Sequence, residues 1–395
     1  MLELRGPVSI ELLLRDAQGG LPAADWVGII HKLGEYVNEF RIAGEEPVEH
    51  PELFEILAAL DRTRKFFHLV TPGQWSDAEG FLGKLRRLSY FGSFVFEFPG
   101  HTAELCQEQG FAGHARQVSS LQKALASAFE VNTRTRITRQ NCEQVMEIAE
   151  EAFRLGARYA VFNRYVGPAD SPLAPDEHQL LRAVEQIHDM RQFGYNVALG
   201  NCVPNCFHLS DSYGCMAGIL SGAVDPRGNL LPCSGSTRPA ANLLETGVTE
   251  AWRSEEMRRW RAIMPPSCQD CSRVSYCPGG CRAAVEHLGG TQDPLIRAPV
   301  PPEEPTLHEV TLEEELCPIP RYAVREEDFG WALVRGNQVI PVSHKAGAIL
   351  ETFDGKVDLG EIERRFGPAA LSFIYSLYVR SFVEFRQAGA DQSSG

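Results

Sequence analysis

An α/β fold is predicted by the sequence: a partial (β/α)6 barrel, then a cysteine-rich domain, then a small winged-helix-like unit. Three observations carry this. From residue 8 to about 200, short apolar runs alternate with longer amphipathic ones, the pattern that builds parallel sheets from strand-helix units. Eight of the 11 cysteines then fall between Cys202 and Cys281. After Cys317 a new pattern of two short strands and three helical runs begins.

In order, strands are expected at 8–14 (VSIELLL), 39–43, 66–71, 93–99, 129–137, 158–166 and 195–200. Between them, runs such as AADWVGIIHKLGEYV, HPELFEILAALDRT, NCEQVMEIAEEAFRLG and EHQLLRAVEQIHDMRQFG carry apolar residues at three-to-four spacing and read as helices. About six such units in some 200 residues suggest an open barrel. Phe66, Phe67, Phe94, Phe96 and Phe98 read as its core. The segment 201–296 is punctuated by Gly and Pro, with one helix over VTEAWRSEEMRRWRAIM. Residues 297–317, rich in Pro and Glu, read as a linker or crossing segment. In the last unit, 318–388, WALVRG and QVIPVS form a hairpin through Gly336-Asn337, helices follow over KAGAILETFD, DLGEIERRFG and AALSFIYSLYVRSFVEF, and the tail 389–395 is expected to be disordered.

The chain has 395 residues, 44% hydrophobic, which excludes a disordered or collagen-like polymer. Its 38 Lys+Arg against 52 Asp+Glu, a net charge of -14, argue against nucleic-acid and anionic-membrane surfaces, since both select basic fields. No apolar run approaches the roughly 18 residues of a spanning helix, and the acidic start does not resemble a signal peptide, so a cytoplasmic location is expected.

A local cysteine cluster in a long chain points to metal rather than to a disulfide framework. Cys268-x2-Cys271-x5-Cys277-x3-Cys281 is preceded by Cys202, Cys206, Cys215 and Cys233. Thiolates so spaced suit either a mononuclear zinc site or iron-sulfur clusters, and eight are enough for two groups of four. His208, two residues after Cys206, is a candidate neighbour.

The stretch CMAGILSGAVDPRGNLLPC, NLLETGVTEAWRSEEMRRW and CQDCSRVSYCPGGC resembles the SPASM domain, which carries auxiliary clusters in radical SAM peptide-modifying enzymes. Cysteine spacing is joined there by Asp225, Gly228, Pro232, Asn242 and Trp252. The resemblance implies two four-iron four-sulfur clusters. Cys215, Cys233 and Cys281 would hold the first, with Cys206 or Cys202 as a fourth ligand; Cys268, Cys271 and Cys277 would hold the second. The family's further cysteine after the last motif is missing from TQDPLIRAP, and Cys317 is the only later candidate.

The front half resembles the radical SAM partial barrel, with Gly44-Glu45-Glu46-Pro47 in place of the family's GGEP turn and Thr71 to Gly73 in place of its TNG. Two departures decide the expected chemistry. Where the family places CxxxCxxC, this chain reads LLLRDAQGGLPAADW, and Arg15, Asp16 and Gln18 cannot replace three thiolates. Glu45 stands where a glycine lets backbone approach the cofactor, and its carboxylate would repel the carboxylate of S-adenosylmethionine. The reading is a radical SAM pseudoenzyme without bound S-adenosylmethionine. Ligation by Cys106 and Cys142 is the opposing reading, disfavoured because neither has a local thiol partner.

The last unit is similar to the PqqD-like recognition element of ribosomally made, post-translationally modified peptides (RiPPs), through Phe329-Gly330, the helix start at 347–350, Asp354-Gly355 and the helix 359–366. That likeness implies capture of a precursor's leader peptide by strand addition. DNA reading is disfavoured because the third helical run holds only Arg380 as a base. The leading expectation is a non-catalytic, cluster-bearing accessory protein of RiPP maturation, partnered by an active radical SAM enzyme. The alternatives are a SAM-independent enzyme using an open-site cluster and a structural zinc scaffold.

Overall fold

The computed structural model describes residues 3–200, 203–209, 214–274, 277–301, 313–336 and 338–387. The chain divides into two compact units, Gly6–Glu303 and Met1–Arg5 with Glu304–Gly395. Cys202, Asn337 and the tail 389–395 lie outside the described residues.

The larger unit is built as the alternation predicts. Its strands and helices run β1 Ser9–Leu13, α1 Ala23–Gly34, β2 Glu39–Ala43, α2 Leu53–Arg62, β3 Phe66–Thr71, α3 Ala78–Leu85, β4 Phe91–Glu97, α4 Ala103–Glu108, α5 His114–Ala126, β5 Glu130–Ile137, α6 Val145–Leu155, β6 Ala160–Arg164, α7 Glu177–Gln192 and β7 Val197–Leu199. Strands β1 to β7 pair in parallel in sequence order. One face of the sheet is apolar and covered by helices: Ile10, Leu12, Phe40, Ile42, Phe67, Leu69, Phe94 and Phe96 are buried with Trp26, Ile56 and Leu121. Phe66 is the exception to the expected aromatic core. It starts β3 at 58% exposed, one residue out of phase with Phe67, and stands edge-on against Tyr90.

Alternate residues turn the other way, and this face is polar. Neighbouring strands lie about 4.8 Å apart, so a flat sheet would hold β1 and β5 some ~19 Å from each other. Yet Arg134 of β5 reaches Glu11 of β1 at 3.4 Å and Glu97 of β4 at 2.7 Å. The sheet must therefore curl around these three side chains, which gives the concave interior of an open barrel.

Beyond residue 200 the same sheet continues. Strand β8 (Ser221–Val224) lies parallel beside β1, and β9 (Asn229–Leu231) and β10 (Ala241–Asn242) extend it antiparallel. The helix expected over 248–264 is two, α8 (Val248–Trp252) and α9 (Glu255–Arg261). Ser254 makes the break: its hydroxyl accepts the N–H of Met257, and a capped N-terminus starts a new helix. Helix α10 (Arg282–Leu288) follows the last cysteine of the cluster.

The smaller unit has strands β11 Leu316–Pro320, β12 Ala323–Glu327, β13 Gly330–Arg335 and β14 Gln338–Val342, helices α11 Gly347–Leu350, α12 Leu359–Phe366 and α13 Pro368–Val379, and strand β15 Val383–Gln387. β12, β13 and β14 form an antiparallel sheet, and β11 pairs with β15. Leu333, Phe353, Ile362, Ile374, Leu377 and Phe382 make its core. The third helical run stops short of the expected 385. Ser381 takes φ +60°, and Val383 to Gln387 leave as a strand that buries Val383. The segment expected to link the units ends in β11, so Cys317 is a strand residue.

Candidate functional site: two cysteine groups and a thiol-free turn

The described cysteines form no disulfide, and those of 206–281 gather in two groups. Cys206, Cys268, Cys271 and Cys277 line one cleft with about 320 Å³ of empty space, solvent included, together with Arg273 and Arg297. Cys206 was expected beside the first group; it stands with the second. Burial pushes the Cys206 and Cys268 thiols up, and the neighbouring sulfurs add to this. Cys206 sits in a tight turn, Phe207 N–H donating to the Pro204 carbonyl at 2.9 Å, and its Sγ accepts the backbone N–H of Arg297 at 3.1 Å.

Cys215, Cys233 and Cys281 make the other group. All three thiols are pushed up, first by burial; Cys215 further raises Cys233 and Cys281, and Cys281 further raises Cys233. Cys281 reaches about 11. Opposing this are backbone N–H groups and cations. Gly235 N–H donates to Cys233 Sγ at 3.2 Å, Arg282 pulls Cys215 down and Arg164 pulls Cys281 down. Cys277 also acts on Cys215, so the two groups are neighbours.

The chain between them must turn sharply. Gly279 and Gly280 both take positive φ (+92° and +80°), and a Cβ on Gly280 would lie 2.8 Å from Asp293. That proximity is used: Asp293 Oδ2 accepts the backbone N–H of Cys281 at 2.7 Å and pairs with Arg164 of β6 at 2.7 Å. Trp260 fixes the other wall, its indole N–H donating to the Ala217 carbonyl at 2.9 Å. The Asp225 carboxylate closes the β8–β9 turn by accepting N–H bonds from Arg227 and Asn229.

These sulfurs suit a soft iron-sulfur group: thiolate donors, N–H bonds aimed at sulfur and nearby guanidinium groups that offset the anionic charge. They suit one zinc ion less well. Four thiolates on one zinc lie about 3.8 Å apart given bonds near 2.3 Å. Among the described residues no three His, Cys, Asp or Glu side chains are grouped to hold a single ion.

Other expected residues are placed as follows. Cys317 is buried within the smaller unit, its thiol directed to the Glu315 carbonyl at 3.9 Å. His208 packs its ring on His188 of α7 at 5.2 Å. Cys106 and Cys142 are buried singly in the barrel, donating to the carbonyls of Gly100 and Arg139.

The turn after β1 contains no thiol and is occupied by its own bonds. Asp16 and Gly19 exchange both backbone bonds at 3.0 Å. Arg15 pairs with Glu49, and Arg227 reaches across to Asp16 and Gln18 at 2.8 Å each. This turn rests on the 44–47 turn, where Gly44 has φ +120° and a Cβ would meet the Arg15 carbonyl oxygen at 2.6 Å. Glu45 is exposed beside it, its N–H donating to Arg15 O at 3.2 Å. Glu46 is buried, accepting bonds from the Thr71 hydroxyl (2.8 Å) and Gln74 N–H (2.8 Å); burial raises its pKa in spite of them. Asp293, Arg164, Arg282 and Arg297 were not singled out from sequence, where only the Asp293-Pro294 dipeptide marks a turn.

Residues 215–272 match the family model of the SPASM domain, described as an iron-sulfur cluster-binding domain. A protein of Gluconobacter oxydans (strain 621H) named PqqA peptide cyclase is 24% identical over 289 residues, covering 68% of this chain and 79% of its own. The fold is similar to that of Streptococcus suis SuiB. The structure of SuiB bound to S-adenosylmethionine matches with TM-score 0.62 at 17% identity, over 74% of this chain and 78% of that one. The structure bound to the precursor peptide SuiA matches with 0.61 at 18%, over 73% and 75%. No described helix is long and apolar enough to cross a membrane. The matched cysteine segment, the curated relative and the shared fold together support the radical SAM/SPASM family for this chain.

Proposed function

We propose that the chain is a non-catalytic accessory protein of RiPP maturation. It carries two four-iron four-sulfur clusters on the cysteines of residues 202–281, does not cleave S-adenosylmethionine, and works beside an active radical SAM enzyme. The observation that carries this reading is the turn 14–19. It offers no thiolate, and Glu49, Arg227 and its own backbone bonds already engage Arg15, Asp16 and Gln18. Peptide maturation is supported by the relative named PqqA peptide cyclase and by the neighbour solved with a precursor peptide. The clusters would supply electron transfer; the chain's own contribution is to hold the sulfurs in a partly buried, cation-flanked setting.

The smaller unit is proposed to be a PqqD-like, winged-helix-type recognition element. Its three-stranded sheet leaves β12 and β14 on the outside, with Val324 and Val379 exposed, so an extended leader could add as a further strand. Calorimetry with leader peptides on the full chain, and on a chain ending near residue 317, tests it: binding that survives truncation refutes it.

A second reading keeps a specific observation: among the described residues only three thiols, Cys215, Cys233 and Cys281, make up the Cys215 group. A cluster there with a free iron position could do SAM-independent chemistry on a peptide thiolate. Anaerobically purified protein, given reductant and S-adenosylmethionine, is expected to hold about eight irons with matching sulfide and to release no 5'-deoxyadenosine. Release of 5'-deoxyadenosine overturns the proposal, and turnover of a precursor without a partner favours the second reading.

A further inference from the structure

We infer that Cys206 is the fourth ligand of the second cysteine group, closing the site of Cys268, Cys271 and Cys277 from its amino-terminal side. This deepens the iron-sulfur reading above and rests on it. The resemblance assigns Cys281 to the first group and so leaves the second one thiolate short, since no cysteine follows Cys281 until Cys317. The fold fills that place with a residue 62 positions before Cys268 (268 − 206).

Four features converge on Cys206. It lines the same cleft as the other three sulfurs, and none of the other described cysteines does. Its Sγ receives the Arg297 N–H at 3.1 Å, a bond in which sulfur is the acceptor and which favours the thiolate over the thiol. The donor is itself held in place. Asp293 accepts the N–H of Leu295 at 3.0 Å, the Arg297 guanidinium donates to the Pro294 carbonyl at 3.0 Å, pairs with Glu177, and lies over the Phe207 ring at 5.4 Å. Finally, Arg273 and Arg297 bring positive charge to a cleft that would hold four thiolates.

Ligation is balanced simply: as the iron–sulfur bond forms, the Cys206 thiol gives its proton to solvent. A second group with four protein thiolates has no free iron position, so it carries electrons and does not bind substrate. Any open position then belongs to the Cys215 group. Cys317 is released from metal duty and serves as a buried core thiol of the smaller unit.

The test uses the full chain, purified anaerobically. Cys206→Ala is expected to lose about four of about eight irons, or to show the electron paramagnetic signal of a three-iron cluster, as Cys268→Ala does; Cys317→Ala keeps full iron and sulfide. A Cys206→Ala protein with wild-type iron and spectrum overturns the inference, as does iron loss in a folded Cys317→Ala. Should Cys206→Ala not fold, the wild type suffices. Cys206 should resist iodoacetamide in the loaded protein and become alkylated together with Cys268, Cys271 and Cys277 once chelator strips the iron. Equal alkylation of Cys206 before and after stripping overturns the assignment. Zinc without labile sulfide in the wild type is a different failure, that of the iron-sulfur reading itself, and the inference falls with it.

Discussion

Arg164 and Asp293 form an ion pair at 2.7 Å with side chains 6% and 0% exposed, and the same Asp293 oxygen holds the backbone N–H of Cys281. One carboxylate thus couples the end of β6 to the last cysteine of the cluster-binding segment. Its charge is buried only because both partners are present.

Asp293→Ala would strand Arg164 without its carboxylate and free the Cys281 backbone. Breaking such a buried pair from one side costs about 3–5 kcal/mol. We expect a clear fall in thermal midpoint and loss of iron from the Cys215 group, with Asp293→Asn milder because it keeps the N–H acceptor. Iron content and melting curves check this; an unchanged Asp293→Ala protein would refute the coupling.

Glu46 gives a pH signature. Burial lifts its carboxyl above 4.5, so between 4.5 and the native value the folded protein binds more protons than the unfolded chain. Its contribution is complete below 4.5 and is lost as pH rises through the native pKa. Glu46→Gln removes that titration. Melting midpoints from pH 4.5 to 8 should fall for the wild type relative to Glu46→Gln; parallel curves contradict the assignment.

Gly44→Ala tests the thiol-free turn. Positive φ and an oxygen 2.6 Å from the new Cβ both oppose it, and strain of this kind costs on the order of 1–3 kcal/mol. Stability to urea should drop while iron content stays, because residue 44 is remote in sequence and role from the sulfurs. Loss of iron in a folded variant would tie the turn to the clusters.

Cys106 separates structural from ligating thiols. Burial pushes it up to about 11, and it donates to Gly100 O at 3.4 Å. Cys106→Ala should keep all iron, and Cys106 should resist maleimide at pH 8 with or without iron, whereas Cys215→Ala, Cys233→Ala and Cys281→Ala each lose about half.

The barrel strands were legible because most are short apolar runs bounded by turn residues, with Ile10, Phe67 and Phe94 on faces of period two, while β5 (EVNTRTRI) shows only alternation rich in β-branched residues. Phe66 misled because residue type does not reveal which side of the pleat is covered. The break at Ser254 was not anticipated, because Trp252, Met257 and Trp260 carry apolar periodicity straight through it. Strands β11 and β15 were missed since their pairing joins residues some seventy positions apart, a distance over which local pattern carries no information. Of the site, the cysteine-rich segment was plain. The grouping of Cys206 was not, because convergence of 206 with 268–277 depends on how the segment after Asp293 folds back. Asp293 itself looks like any surface acid until its burial is known.

The parallel pairing of β8 with β1 has one more outcome. Strand β8 shields what would otherwise be an open β-edge on the barrel's first strand, and it is anchored in the segment that binds iron. Starvation for iron, or oxidation of the clusters, would loosen that shield and bare a sticky apolar strand, so shortage of metal should announce itself first as precipitation of the protein rather than as mere loss of colour.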